Sequence, residues 1–439
     1  MKILFISLGC DKNLADSETM LGLLASRGYQ IVDTEEDADV IIVNTCCFIH
    51  DAMEESIETI LQMAEYKKSG SLKALIVTGC MAERYREEIT KEIPEVDAVL
   101  GTASYGHILD AVDGALAGQS YLKMEPLDTL PLVNTHRMVT TGGHYAYLKI
   151  AEGCDKHCTY CIIPKLRGNF RSVPMEHLLR EAKQLADDGV KEIILVAQET
   201  TLYGKDLYGE KKLPELLRRL CKIGGIRWIR ILYCYPEEIT EELIQTIKEE
   251  PKICHYLDLP IQHASDDVLK RMGRRTSKEE LIHIISRIRE EIPDITLRTT
   301  LITGFPGESK EQHEELMDFV DEMAFDRLGV FTYSAEDGTP AAQMPDQVEE
   351  SVKEARRAEL MELQQEIAFD QAEQMIGREV LVMIEGKVAD ENAYVGRTYK
   401  DAPNVDGLIF VNTDTELLSG DFAKVRVTGA CEYDLIGEL

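Results

Sequence analysis

Three cysteines fall within eight residues, Cys154, Cys158 and Cys161 in the run EGCDKHCTYCIIP. An iron–sulfur cube takes four thiolate ligands, so a C-x3-C-x2-C loop leaves one iron open to a small molecule. Such a site suits chemistry better than electron storage. A zinc knuckle would want a fourth Cys or His at regular spacing. His157 lies inside the loop, but it adjoins Cys158, where ring and thiolate rarely converge on one metal.

An open iron can chelate the amino and carboxylate groups of S-adenosylmethionine, holding the sulfonium against the cluster for electron transfer and carbon–sulfur cleavage to an adenosyl radical. C-x3-C-x2-C is the signature of that radical SAM chemistry. Three further cysteines stand at the ends of short apolar runs, in Leu8-Gly9-Cys10, Asn44-Thr45-Cys46 and Thr78-Gly79-Cys80, spaced 36 and 34 residues apart. In an open parallel sheet ligands gather beyond the carboxyl ends of the strands. Simple burial of cysteine does not account for three strand-end placements beside small or turn-prone residues. These three therefore read as a second metal site. Adjacent side chains diverge, so either Cys46 or Cys47 is the ligand there, with Cys46 preferred. Cys221, Cys234, Cys254 and Cys431 read as core or surface residues.

Two segments could hold the nucleoside. Gln198-Glu199-Thr200-Thr201 follows an expected strand and offers a carboxylate and hydroxyls to an amino group or ribose. Gly304 in Thr303-Gly-Phe-Pro-Gly-Glu308 would let backbone touch an adenine. Arg167 is a candidate for the substrate or methionyl carboxylate.

The elements that must position these residues follow from periodicity. Residues 1–118 alternate short apolar runs (Lys2–Leu8, Val40–Val43, Ala74–Val77, Ala98–Leu100) with helical stretches such as Asp16–Arg27 and Asp51–Lys67, the pattern of an open parallel α/β sheet. A connector from about Gln119 to His144, with Pro126, Pro131 and Gly142-Gly143, breaks it. Residues 140–370 then give six strand-like runs with helices between them, which predicts a partial (β/α) barrel. A charged helix over Gln347–Met375 leads to residues 372–439, whose alternating runs Glu379–Ile384, Gly407–Val411 and Phe422–Thr428 predict a small antiparallel β-barrel.

The chain has 439 residues, 11 cysteines and a formal charge of −31. The cysteines lack the paired spacing of a secreted disulfide framework. The opening MKILFISLGC has too short an apolar run for a signal peptide, and no stretch approaches the ~18 apolar residues of a membrane span. A cytoplasmic enzyme with no membrane contact is expected. From Ile376 to Leu439 twelve acidic residues face six basic ones. That excess disfavours RNA as a ligand for the barrel and favours a basic protein as partner.

Together the Cys10, Cys46, Cys80 set, the Cys154, Cys158, Cys161 loop and the terminal barrel resemble the radical SAM methylthiotransferases across essentially the whole chain. The resemblance implies an N-terminal methylthiotransferase domain, a radical SAM core and a TRAM domain. It also implies two [4Fe-4S] clusters, with S-adenosyl-L-methionine as both radical source and methyl donor, and an electron donor. Tyr147-Leu-Lys-Ile150, Cys161-Ile-Ile-Pro164, Gly338-Thr-Pro-Ala-Ala342 and Gly396-Arg-Thr-Tyr-Lys-Asp-Ala-Pro403 resemble the branch acting on an aspartate of small-subunit ribosomal protein S twelve. Cys47 departs from the glycine expected after the ligand. A branch acting on tRNA adenosine and a two-cluster electron carrier are the competing readings. A basic barrel would mark the first, and closed four-cysteine sites the second.

Overall fold

The computed structural model describes residues 1–70, 72–133, 135–389 and 391–439; Asn134 of the connector, Asp390 of the terminal segment and Ser71 lie outside them. The first sheet holds β1 (Lys2–Ser7), β2 (Gln30–Val32), β3 (Val40–Thr45), β4 (Ala74–Gly79), β5 (Ala98–Leu100) and β6 (Tyr121–Lys123), all parallel, in the order β2-β1-β3-β4-β5-β6. Strands β3 and β4 are buried along their whole length, as expected of parallel strands covered on both faces. Edge strands β2 and β6 were not anticipated. Each has three residues, too few to show a period, and β6 lies inside the stretch read as an irregular connector.

The order of this sheet matters for the cysteines. The three cysteine-bearing strand ends, those of β1, β3 and β4, are immediate neighbours, with Ser7 level with Asn44 and Asn44 level with Thr78. At about 4.8 Å between strands, the three loops leave the sheet side by side.

In the second unit β7 (Tyr145–Lys149) is followed by an antiparallel pair, β8 (Ala151–Glu152) and β9 (Arg171–Ser172), that brackets the cysteine loop. Then come β10 (Glu192–Val196), β11 (Trp228–Ile231), β12 (Ile253–Asp258), β13 (Thr296–Thr303) and β14 (Arg327–Thr332). Together with β7 they form a six-stranded parallel sheet in the order β14-β13-β12-β11-β10-β7. Amphipathic helices cover its outer face. Two of them, Lys278–Glu291 and Lys310–Met323, start with capping boxes, Ser277 with Glu280 and Ser309 with Gln312. The inner face presents Tyr145, Tyr147, Ile194, Val196, Trp228 and Tyr256, packed with Met383 and Ala402 of the terminal segment and with Leu14 of the first domain.

The helix Glu350–Glu373 lies against β14 and leads to a closed barrel of β15 (Glu379–Lys387), β16 (Ala393–Arg397), β17 (Ile409–Asn412), β18 (Phe422–Cys431) and β19 (Asp434–Glu438), in the order β15-β16-β17-β19-β18. The antiparallel barrel expected from the sequence needs one amendment, because β17 and β19 run parallel. A ring with an odd number of strands cannot alternate direction all the way round, so one seam must be parallel.

Direction in the core also decides where this barrel sits. Arg397 Nη2 donates to Glu192 Oε2 (2.7 Å), Arg327 Nη2 to Asp401 Oδ1 (2.5 Å) and Lys400 Nζ to Thr296 Oγ1 (3.2 Å). Glu192, Thr296 and Arg327 are the first residues of their strands. The barrel therefore plugs the amino ends of the core strands, opposite the end where the cysteine loop emerges. The Gly396–Pro403 segment is the plug itself.

Candidate metal centres

The first trio is assembled by α1 (Asp11–Ser26), which begins directly after Cys10, five residues before the sequence pattern placed it. Its first turn carries Asn13, whose Nδ2 donates to Leu8 O (2.8 Å) and Thr45 O (3.0 Å), stitching the end of β1 to the end of β3. Asn44 Nδ2 returns a bond to Asn13 O (3.0 Å), and Ser56 Oγ both accepts from Cys46 N (3.0 Å) and donates to Cys46 O (2.8 Å). Two glycines are obligatory. Gly9 has φ +88°, and a Cβ there would lie 2.9 Å from Cys46 Sγ. Gly79 has φ +93°, and a Cβ there would lie 2.5 Å from Thr45 O.

Cys10 is exposed, whereas Cys46, Cys47 and Cys80 are buried. Burial pushes the Cys46 thiol up to about 12, with the neighbouring Cys80 and Cys10 adding to it. Burial likewise raises Cys80. Cys47 packs into the apolar cluster with Val43, Val77 and Met81, while Cys46 is the thiol turned against the Cys10 turn.

The second trio sits on the loop after β8. Cys154 and Cys158 are buried and Cys161 is half-buried. Gly153 has φ +80°, and a Cβ there would stand 2.1 Å from Asn169 O. This lets Cys154 N bond Gly168 O (3.1 Å) and closes the loop at its base. Burial pushes Cys154 up to about 11 and Cys161 up to about 12, and in both cases the neighbouring thiols of the loop contribute. A metal charge would offset the burial cost of ionising these thiols. Among the described residues no three Cys, His, Asp or Glu side chains stand close enough for a single metal ion. A cube spreads its ligands over separate corners, and two spaced trios suit it better than a mononuclear site.

The segments expected to touch the nucleoside fall differently. Gln198 and Glu199 follow β10, the strand next to β7. Gln198 Oε1 accepts from Gly153 N (2.8 Å) and its Nε2 donates to Glu152 Oε1 (2.8 Å), so it braces the base of the cysteine loop. Glu199 is fully buried, and burial pushes its carboxyl up to about 7. Its Oε1 accepts from Thr201 N (2.9 Å) and Thr201 Oγ1, whereas Oε2 has no hydrogen-bond partner among the described residues and lies 4.0 Å from Lys156 Nζ. Gly304 follows β13, four strands from β7, and a Cβ there would meet Lys353 Cγ at 2.3 Å. Its turn is held by Glu308, which accepts from Phe305 N (3.0 Å).

Arg167 is engaged by protein partners rather than presented to solvent. It is 2% exposed and lies in the seam between the two trios, where it bonds Asp16, Asn13, Glu152 and Cys80. The segment 336–342 also bridges them. Arg84, just past Cys80, bonds Glu336 Oε2 (3.0 Å), while Lys165 Nζ donates to Gly338 O (2.7 Å) and Ala341 N to Thr159 O (2.9 Å).

Sequence reasoning missed Arg274 and Tyr235. The Arg274 guanidinium lies 4.3 Å from the Tyr235 ring centre, and Tyr235 Oη is 3.8 Å from Cys158 Sγ. Arg274 Nε and Nη1 are buried without a partner among the described residues. Only a Gly-Arg-Arg turn marked the position.

Fold and site together define a radical SAM enzyme with a cysteine-bearing α/β domain before the core and a small barrel after it. Comparison with known families agrees: residues 148–320 match the Radical SAM superfamily, residues 2–101 the Uncharacterized protein family UPF0004, and residues 376–439 the TRAM domain. A curated relative from Lachnoclostridium phytofermentans, ribosomal protein uS12 methylthiotransferase RimO, is 66% identical over 100% of this chain and 99% of its own length. The protein of that name from Clostridioides difficile is 49% identical over 100% and 99%. The chain belongs to this family of RimO methylthiotransferases. Among solved structures, the radical S-adenosylmethionine methyltransferase TsrM from Kitasatospora setae shares the fold, with TM-score 0.54 at 12% identity over 89% of this chain and 79% of that one.

Proposed function

We propose that this enzyme methylthiolates the β-carbon of an aspartate in ribosomal protein uS12. Cys154, Cys158 and Cys161 hold one [4Fe-4S] cluster in this reading, and Cys10, Cys46 and Cys80 hold a second. When bound, the first supplies reductive cleavage of S-adenosylmethionine and the second an open iron for the sulfur to be transferred. The observation that carries the reading is the pairing of two three-cysteine sets, each at the carboxyl ends of a parallel sheet, on facing sides of one buried seam. An electron carrier would need closed four-cysteine sites instead.

The chain's own residues do the positioning. Glu199 Oε2 is the free acceptor next to the cysteine loop, suited to the ammonium or ribose hydroxyls of S-adenosylmethionine, and Gln198 orients the Gly153 amide beside it. Arg274 offers two unspent N–H donors for a carboxylate. Gly304 stays a weaker candidate for the adenine, since its near neighbour is Lys353. Functionally the chain divides into 1–118, 140–370 and 372–439.

The acidic barrel, held at the far end of the core, serves as a grip for a basic ribosomal protein and does not line the reaction site. A cytoplasmic setting and a low-potential electron donor complete the proposal. No helix among the described residues is long and apolar enough to cross a membrane. The test is anaerobic incubation with small ribosomal subunits, S-adenosylmethionine and reductant, followed by mass spectrometry. A methylthio group on uS12 is expected. The same group on RNA, with uS12 unchanged, would overturn the substrate.

A further inference from the structure

The seam between the two cysteine sets contains buried ionisable side chains, among them Asp16, Lys149, Glu152 and Arg167, none more than 9% exposed, with Arg171 behind Arg167. Arg167 is the one that reaches a thiol. Its Nη2 donates to Asn13 Oδ1 (2.6 Å) and points at Cys80 Sγ (3.5 Å), while Nη1 donates to Asp16 Oδ2 (2.8 Å) and Glu152 Oε2 (3.3 Å). Lys149 Nζ donates to Asp16 Oδ1 and Glu152 Oε2 (2.7 Å). A cation is thus fixed beside one ligand sulfur of the first trio, and its counter-charges lie on the side away from that sulfur.

We infer that Arg167 sets the reduction potential of the cluster held by Cys10, Cys46 and Cys80, raising it above what three cysteines alone would give. The inference rests on the reading of those cysteines as ligands. Reduction adds one electron, delivered by an external low-potential reductant, and no bond forms or breaks. The extra negative charge is stabilised by a guanidinium and its N–H directed at the ligand sulfur. The four side chains are buried, so the interaction is weakly screened. Asp16 opposes it by neutralising Arg167 from behind. The same guanidinium bonds Glu152, two residues from Cys154, so it also fixes the first trio relative to the second loop.

The experiment uses full-length protein carrying Cys154→Ala, Cys158→Ala and Cys161→Ala, reconstituted anaerobically so that one cluster remains, with iron analysis and a mediated redox titration followed by electron paramagnetic resonance. At the potential where this parent is half reduced, Arg167→Gln is expected to lower the reduced-to-oxidised ratio about tenfold, a shift of about 59 mV for one electron. Arg167→Lys should recover most of it, and Asp16→Asn should move the ratio the opposite way. A merely structural role would move both neutral variants in the same direction or neither, and either result overturns the inference. Should Arg167→Gln fail to hold iron, Asp16→Asn decides: a raised ratio supports the proposal, and an unchanged or lowered one refutes it. A parent that binds no iron would overturn the ligand reading itself, a result distinct from an unmoved potential.

Discussion

Arg397 should be the residue whose loss frees the terminal barrel. Its guanidinium is fully buried. Nη2 donates to Glu192 (2.7 Å), Nε to Glu385 (2.5 Å) and Nη1 to Asp401 O (2.9 Å), while Arg230 Nε holds the other oxygen of Glu192 (2.8 Å). Glu192 is as buried as its partners, so Arg397→Met would leave a carboxylate with half its pairing and no water to replace it. Removing one member of such a network costs about 3–5 kcal/mol. Taking the lower end, because methionine restores apolar contact and Arg230 stays, detachment of the barrel should become about 150-fold more populated. Unfolding of a three-part chain is not two-state, so the assay is hydrogen exchange of amides in β15–β19 under native conditions. Protection there should fall while that of β10–β13 is kept. The exposed pair Lys424 with Glu379 is the control, and Lys424→Ala should change protection by less than about 1 kcal/mol. Equal protection in wild type and Arg397→Met would refute the idea that this buried network holds the seam. If the barrel grips the substrate, the same variant should still cleave S-adenosylmethionine but modify uS12 poorly.

Replacing Cys10, Cys46 and Cys80 with alanine should halve the iron content and abolish methylthio transfer while S-adenosylmethionine cleavage continues; retained transfer would remove the second cluster from the mechanism. Glu199→Gln should weaken S-adenosylmethionine binding by about 10- to 150-fold, the worth of about 1.5–3 kcal/mol for a hydrogen bond to a charged group, as read by equilibrium dialysis with the reconstituted enzyme. Cluster assembly should strengthen as pH rises from 7 to about 9. The Cys46, Cys154 and Cys161 thiols are raised to about 12, 11 and 12, so each arrives protonated and must release its proton on ligation. The gain is about tenfold per pH unit per proton, and a flat profile by iron uptake would show that these thiols are not the ligands. His263 is buried, with its imidazole pushed down to about 3 by burial. The stability it contributes is full above about 6.5 and is lost as pH falls toward 3, because the unfolded ring takes up a proton the folded one refuses. His263→Gln should flatten that part of an acid melting curve.

Much of this was legible in the chain. Strands β10 and β13 fall on the residues that periodicity marked, and Cys154, Cys158 and Cys161 share one loop, because both signals are short-range. What escaped was long-range or masked by composition. The first turn of α1 reads as polar, Asp11-Lys-Asn, yet Lys12, Asn13 and Asp16 are buried there. Their environment is supplied by Tyr233, by Lys149 of β7 and by the helix Ile163–Arg167, more than a hundred residues away. For the same reason Arg167 could be guessed as a ligand for an anion but not as the bond between two domains. Strands β16 and β19 escaped because in a small barrel a strand is defined by its neighbours, and both are interrupted by glycines at Gly396 and Gly437, where another backbone passes within 2.8 Å of a would-be Cβ.

Both seams against the radical SAM core carry buried charge beside their apolar contacts, whereas the interior of each unit is apolar. Asp16, Lys149, Glu152 and Arg167 join the first domain, and Glu192, Arg230 and Arg397 join the last. If stability alone were needed, apolar seams would serve as well, since a buried ion pair gains little over well-packed hydrocarbon. The two differ in tolerance. An apolar contact accepts a slip of an ångström at small cost, while a buried guanidinium moved off its carboxylate leaves two uncompensated charges. Under the proposed function, sulfur passes from one metal site to a carbon activated at another, and the reaction depends on the distance between those sites. The Asp16–Arg167–Glu152 bridge runs from the helix after Cys10 to the strand before Cys154, so it fixes that distance through directional bonds at both ends.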